Sequence, residues 1–302
     1  MDEIIKIKSI TELHKILGYP KPEHPLITVL DFGKMTKSDD LDDFKIVSSY
    51  YSIYLKNGCQ SPLRYGRGYY DFEEGTLLAM APEQVISSDG SNDNTKIEGW
   101  ALYFHPDLIR QYPLAKKMKD YGFFAYETNE ALHLSDKEKA TLSSVIEKIK
   151  DEYEANIDEF SQDVIVTNVE LLLSYIQRFY KRQFLTRKVV HSDLLSNFEQ
   201  MVKEYFNSDQ LELLGLPKVH YFADKLNLSQ SYLSDMLKKE TGKTAQEHIH
   251  YFLIEKAKNL LLNSNATVSE ISYQLGFEYP QYFSRIFKKK TNYTPGEFRH
   301  LN

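Results

Sequence analysis

Apolar positions along this chain change period twice. An amphipathic stretch, residues 10–17, predicts a short helix stopped by Gly18. From Leu26 onward the pattern becomes strand-like: residues 26–30, 46–55, 76–80 and 99–104 are rich in β-branched and aromatic side chains. Turn signals part them at Asn57-Gly58, Gly66-Arg67-Gly68, Glu74-Gly75 and Asp89-Gly90. Short strands at this spacing predict an antiparallel barrel or sandwich. Beyond Phe104 the helical period returns. Ser135 and Glu138 form a capping box for a helix to about Tyr153, and a longer helix is expected over 162–183. Its apolar face, Ile165, Val169, Leu172, Leu173, Ile176, Phe179 and Tyr180, is either the seam of a homodimer or packs against the strands.

The end of the chain carries the most specific pattern. Thr267 and Glu270 make a capping box, Val268, Ile271 and Leu275 share one helical face, and Gly276 offers a left-handed stop. Pro280 then suits the first turn of a second helix whose buried stripe is Phe283, Ile286 and Phe287. Two short helices joined by a tight turn make a helix-turn-helix. Gln281, Arg285, Lys288 and Lys289 fall away from that stripe, and no acid occurs between Tyr279 and Gly296, a composition suited to phosphates and base edges.

The same pattern occurs a second time. Tyr232-Leu233-Ser234, Met236-Leu237-Lys238-Lys239, Thr241, Thr244 and Glu247 match, 50 positions on, Tyr282-Phe283-Ser284, Ile286-Phe287-Lys288-Lys289, Thr291, Thr294 and Glu297. This is a tandem duplication. In the upstream copy Phe222, Ala223 and Leu226 predict the support helix, Ser229 the N-cap of the recognition helix, and Ser231, Ser234, Asp235 and Lys238 its outward face. Residues 244–263 between the copies read as one helix of ~30 Å, close to the ~34 Å between successive major-groove faces on one side of B-DNA.

On Ile271, Leu275-Gly276-Phe277, Tyr282-Phe283-Ser284-Arg285, Phe287-Lys288-Lys289, Thr294-Pro295 and Phe298-Arg299, residues 192–302 resemble the double helix-turn-helix domain of AraC/XylS-family transcription regulators. Two positions depart from the family pattern: Asn292 where Gly is usual, and Asp235 where a base is usual. The resemblance implies base-edge contact by Ser231, Ser234, Asp235, Gln281 and Arg285, and phosphate contact by Lys238, Lys288 and Lys289. It also implies an N-terminal cupin-like sensor, for which Tyr70-Asp71-Phe72 through Gly75 to Ala81-Pro82 looks like a hairpin, and an activator of RNA polymerase rather than a repressor. In the resembling family the helical segment often dimerises.

Charge sharpens this picture. The net charge is −6, yet residues 192–302 hold 13 basic and 13 acidic side chains, so the deficit lies in residues 1–191. DNA contact would then depend on local basic faces. One cysteine, Cys59, excludes an intrachain disulfide and a cysteine-rich zinc site. The charged start, M-D-E-I-I-K-I-K-S-I, and the absence of any apolar run near 18 residues predict a cytoplasmic protein. Metal-dependent cupins need an H-x-H on one strand, and residues 26–105 contain only His105. No nucleophile motif or phosphate loop is present, so no catalytic residue, metal ligand or cofactor is expected. For a small-molecule effector, Tyr65, Tyr69, Tyr70, Trp100 and Tyr103 are candidate pocket aromatics, with Arg64 or Arg67 for an anionic group; core aromatics and surface arginines are the equal alternative.

The expected architecture is therefore α+β. It comprises a cupin-like antiparallel β-barrel with a helical dimerisation segment over 1–185, a linker over 186–191, opened to helix by a Ser192 cap, and an all-α tandem helix-turn-helix domain over 192–302. The competing function is an enzymatic or small-molecule-binding cupin whose basic helices are incidental.

Overall fold

Because most polar backbone groups must be paired inside the fold, where each apolar run finds its hydrogen-bonding partner decides the architecture. The computed structural model describes residues 4–34, 43–57, 63–65, 68–70, 75–89, 98–127, 130–155, 158–186 and 188–300. The chain divides into two compact units, Met1–Thr186 and Arg187–Asn302.

In the first unit the strands are β1 (Ile4–Ile7), β2 (Ile27–Asp31), β3 (Asp43–Ser48), β4 (Tyr51–Asn57), β5 (Leu63–Tyr65), β6 (Gly68–Tyr70), β7 (Thr76–Met80), β8 (Val85–Asp89), β9 (Glu98–Phe104) and β10 (Leu132–His133). They form two five-stranded sheets, ordered β1-β3-β8-β5-β6 and β10-β7-β4-β9-β2. Among the described residues no ladder joins the two, so the expected single closed barrel is replaced by two separate sheets. The expectation of a purely antiparallel arrangement also fails at one edge, where β1 lies parallel to β3, with Ile4 opposite Lys45.

The run 46–55, expected as one strand, breaks at Ser49-Tyr50. There Ser49 N–H donates to the Ile7 carbonyl at 3.2 Å and Tyr50 N–H to Ser48 Oγ at 3.2 Å. The first half pairs in one sheet and the second half in the other. A single buried cluster, including Ile7, Ile10, Leu13, Ile46, Leu30, Tyr54, Leu78 and Tyr103, joins residues of both sheets to the first helix, α1 (Ile10–Ile16).

Helices α2 (Pro106–Ile109) and α3 (Pro113–Lys117) follow β9. Helix α4 (Asp136–Glu154) opens on the predicted Ser135–Glu138 capping box and packs against α5 (Ser161–Thr186). All seven residues of the α5 face read as a dimer seam or packing face, Ile165 to Tyr180, are buried in the single chain. Intramolecular burial removes the driving force for that face to dimerise. The end of α5 is tied down as well: Arg182 donates through Nε and Nη2 to both oxygens of Glu138, at 3.0 and 2.8 Å, and Gln183 pairs with the backbone of β10 through His133 N–H at 2.8 Å.

The second unit is helical throughout: α6 (Lys188–Asn207), α7 (Gln210–Leu214), α8 (Val219–Lys225), α9 (Gln230–Thr241), α10 (Ala245–Asn263), α11 (Val268–Gln274), α12 (Pro280–Thr291) and α13 (Pro295–Arg299). Residues expected as a linker, 186–191, include the end of α5 and the start of α6, and Ser192 lies inside α6 instead of capping it. A good helical period on both sides leaves nothing to break the helix at Ser192. Helix α10 packs against α6, α8, α9, α11 and α13. Long-range hydrogen bonds tie its middle and its C-terminal end to neighbouring elements. Lys256 Nζ donates to the Phe206 carbonyl at the end of α6, while Arg299 donates to the carbonyls of Leu261 at 3.1 Å and Ala266 at 2.6 Å. Phe198, Phe222, Phe283 and Phe287 are fully buried; truncating any one to alanine would cost about 3–5 kcal/mol.

Candidate nucleic-acid interface

Helix α11 starts on the predicted reciprocal cap: Thr267 Oγ1 accepts from Glu270 N–H at 3.2 Å, and Glu270 accepts from Thr267 N–H at 2.6 Å. Gly276 closes its turn at φ +79, and Tyr279, with Pro280 behind it, opens α12. In the first copy Ser229 Oγ accepts from Tyr232 N–H at 3.1 Å to cap α9, and Asn227, at φ 54, takes the left-handed turn position that corresponds to Gly276.

The duplication persists down to single hydrogen bonds. Thr241 Oγ1 donates to Leu237 O at 2.8 Å and accepts from Lys243 N–H at 3.2 Å. Thr291 Oγ1 donates to Phe287 O at 2.8 Å and accepts from Tyr293 N–H at 3.2 Å. Both recognition helices end in the left-handed region, α9 at Gly242 (φ 76) and α12 at Asn292 (φ 66), where Asn substitutes for Gly because it tolerates that conformation. Each recognition helix therefore has its own rigid frame, and α10 spans the two.

The predicted contact residues divide by exposure. Gln281, Arg285, Lys288 and Lys289 are exposed on α12, and Lys238 is exposed on α9, whereas Ser231, Ser234 and Asp235 are half-buried. The three lysines Lys288, Lys289 and Lys290 occupy the last turn of α12, where the helix dipole favours cations. Ile286, expected in the buried stripe, is only half-buried. Nearby acids are occupied as caps: hydrogen bonds from Thr244 hold the Glu247 carboxyl below the usual range, with Lys290 and Lys238 adding to the effect, and hydrogen bonds from Thr294, with Lys288, do the same for Glu297. Burial, then the fields of Lys290 and Lys289, lower the pKa of His250 against the pull of Glu247.

A feature absent from the sequence reading is the aromatic ridge beside Arg285. Its guanidinium carbon stands 5.2 Å from the Tyr282 ring centroid, and the Tyr282 and Tyr279 rings meet edge to face at 5.8 Å. The signal available in sequence was the i, i+3 spacing of Tyr282 and Arg285 on the helix, with Tyr279 at its N-cap. Tyr232, the aligned counterpart of Tyr282, is 4% exposed whereas Tyr282 is 47% exposed, so the two copies present different surfaces.

Of the effector candidates, the described side chains are those of Trp100 and Tyr103, and these two do not share a site. Side chains alternate along a strand, so Trp100 and Tyr103 of β9 face opposite ways. Trp100 Nε1 donates to Ser143 Oγ of α4 at 3.1 Å, while Tyr103 sits in the cluster between the sheets with its hydroxyl 2.9 Å from that of Tyr54. Burial raises the Tyr103 pKa well above the ordinary value. Arg67 and the side chains of Arg64, Tyr65, Tyr69 and Tyr70 lie outside the described residues. No helix among the described residues is long and apolar enough to cross a membrane.

Residues 222–300 match the sequence model of a family described as a helix-turn-helix domain. The xylose operon regulatory protein of Escherichia coli K12 is 38% identical over 85 residues, 28% of this chain and 22% of that protein. The HTH-type transcriptional activator RhaR of Escherichia coli O1:K1 / APEC is 35% identical over 81 residues, 27% of this chain and 29% of that protein. The chain thus spans less than a third of either relative's length. A solved C-terminal domain of the two-component response regulator yesN from Fusobacterium nucleatum is 32% identical and covers 36% of this chain and 99% of its own, with a TM-score of 0.32. With its duplicated helix-turn-helix frame and a regulatory protein and a transcriptional activator as relatives over the matched segment, the C-terminal part of the chain is a helix-turn-helix domain of the AraC type.

Proposed function

We propose that this chain is a sequence-specific DNA-binding transcription regulator, an activator acting in the cytoplasm, that lays α9 and α12 into two successive major-groove segments. The observation that carries this reading is the repetition of the same capped, hydrogen-bonded recognition frame on either side of α10. At 19 residues α10 is ~28 Å long, comparable with one turn of B-DNA. Gln281 and Arg285 are the base readers of the second head, Ser231, Ser234 and Asp235 those of the first, and Lys238, Lys288 and Lys289 the phosphate contacts. An Asp at position 235 fits a cytosine N4 donor.

The N-terminal unit supplies control in this reading. Its two sheets, whose residues share one buried cluster, support a cupin-like sensor fold, with Tyr54 and Tyr103 as a hydrogen-bonded polar pair in that cluster. A metabolite held there would bias the regulator by binding one state more tightly. The dimer uses the outward side of α5, where Val164, Leu171 and Leu185 are exposed, seven and fourteen residues apart, with Arg178 at the position between the last two.

The test is a salt titration of the full chain against its own upstream DNA and a random duplex of equal length. Preference for the upstream DNA that survives at physiological salt is expected. Failure to bind either duplex at low salt overturns the reading.

A further inference from the structure

The two reading heads share a frame but differ in one local device. On α12, Arg285 lies over the Tyr282 ring at 5.2 Å, and Tyr282 is itself braced edge-on by Tyr279 at 5.8 Å. All three are exposed. In α9 the position aligned with Arg285 is Asp235, and Tyr232, aligned with Tyr282, is buried, so the first head lacks the device.

Free arginine side chains sample many rotamers, and a guanidinium must present two parallel N–H groups in one plane to pair with guanine O6 and N7. An aromatic face at cation–π distance restricts that sampling before DNA arrives. Pro280 fixes the backbone at the start of α12, directly beside Tyr279. Tyr279, Tyr282 and Arg285 thus make a short supported ridge along one side of the helix. Stacking needs the ring, not the hydroxyl.

Resting on the DNA-reading function above, we propose that Tyr282 is a positioning residue that holds the Arg285 guanidinium for paired hydrogen bonds to a guanine, and that this guanine preference belongs to the second head alone. Because Tyr282 is half exposed, its truncation leaves the buried Phe283–Phe287 stripe in place.

The experiment selects binding sites from a random duplex library with the full chain and with Tyr282→Ala, Tyr282→Phe, Arg285→Ala and the double alanine variant. The wild-type site and its single G·C to A·T replacements are then compared by competition, and thermal unfolding confirms that each variant folds. Arg285→Ala is expected to erase preference for one guanine. Tyr282→Ala should weaken preference at that same base pair by about two- to five-fold. Tyr282→Phe should retain it, and Tyr282→Ala should add nothing once Arg285 is gone. Preference unchanged in Tyr282→Ala, or equal loss on every site, overturns the proposal while the regulator reading stands. So does an Arg285→Ala variant that keeps every wild-type preference. A wild-type chain that enriches no sequence overturns the regulator reading and the proposal with it.

Discussion

A Cβ built on Gly276 would stand 2.8 Å from the carbonyl carbon of Gly215, so the turn of the second helix-turn-helix presses directly on the loop between α7 and α8. Conformation alone does not demand glycine there, because Asn227 occupies the corresponding turn at φ 54 in the first copy. Contact with Gly215 does. Gly276→Asn is therefore expected to destabilise the C-terminal unit by about 2 kcal/mol or more. Gly242→Asn, at φ 76 with nothing near its Cβ and with Asn292 already at the equivalent position, should shift stability by less than about 0.5 kcal/mol. Urea unfolding midpoints of the two variants check the contrast.

Acidification should weaken the same unit. Burial lowers the pKa of His248 and of His250 below the ordinary 6.5, in fields set by Glu199, Lys243 and Glu247 around the first and by Lys290, Glu247 and Lys289 around the second. A lowered folded-state pKa means that the unfolded chain takes up protons the folded chain refuses. Stability is then fully present above pH 6.5 and declines as the pH falls through that value toward the folded-state pKa values. The midpoint of urea unfolding should drop between pH 7.5 and 5.5, and replacing both histidines with glutamine should flatten that slope. A slope unchanged in the double variant would assign the effect to other groups.

Phosphate and base contacts should separate in salt. Lys288→Ala is expected to weaken binding to specific and random DNA alike and to reduce the slope of log K against log salt by about 1, whereas Arg285→Ala should lose about 1–3 kcal/mol of discrimination at one position. Equal losses on both duplexes for Arg285→Ala would remove it from the base readers.

For the proposed dimer, the outward side of α5 is the surface to break. Leu171, 39% exposed between Val164 and Leu185, should give a monomer when replaced by aspartate, with unfolding temperature little changed because no core contact is lost. Sedimentation of wild type and variant at micromolar concentration reads this. A wild-type chain that is already monomeric excludes the dimer.

What the sequence by itself determined is local. Capping boxes at Ser135 and Thr267, the left-handed turn at Gly276 and the 50-residue duplication all appear as read, because each depends on hydrogen bonds or side-chain spacing within a few residues. Tertiary structure decided the rest. Run 46–55 is divided between two sheets because its partners, β1 and β8 for the first half and β7 and β9 for the second, are remote from it in the chain. The apolar face of α5 is buried because α4, α2 and β10 pack against this helix, a fact its own periodicity does not contain. Tyr232 and Tyr282 occupy matching places in matching helices, yet one is buried and the other exposed. Burial is set by neighbours remote in sequence, and a pattern along one helix records only which residues share a face.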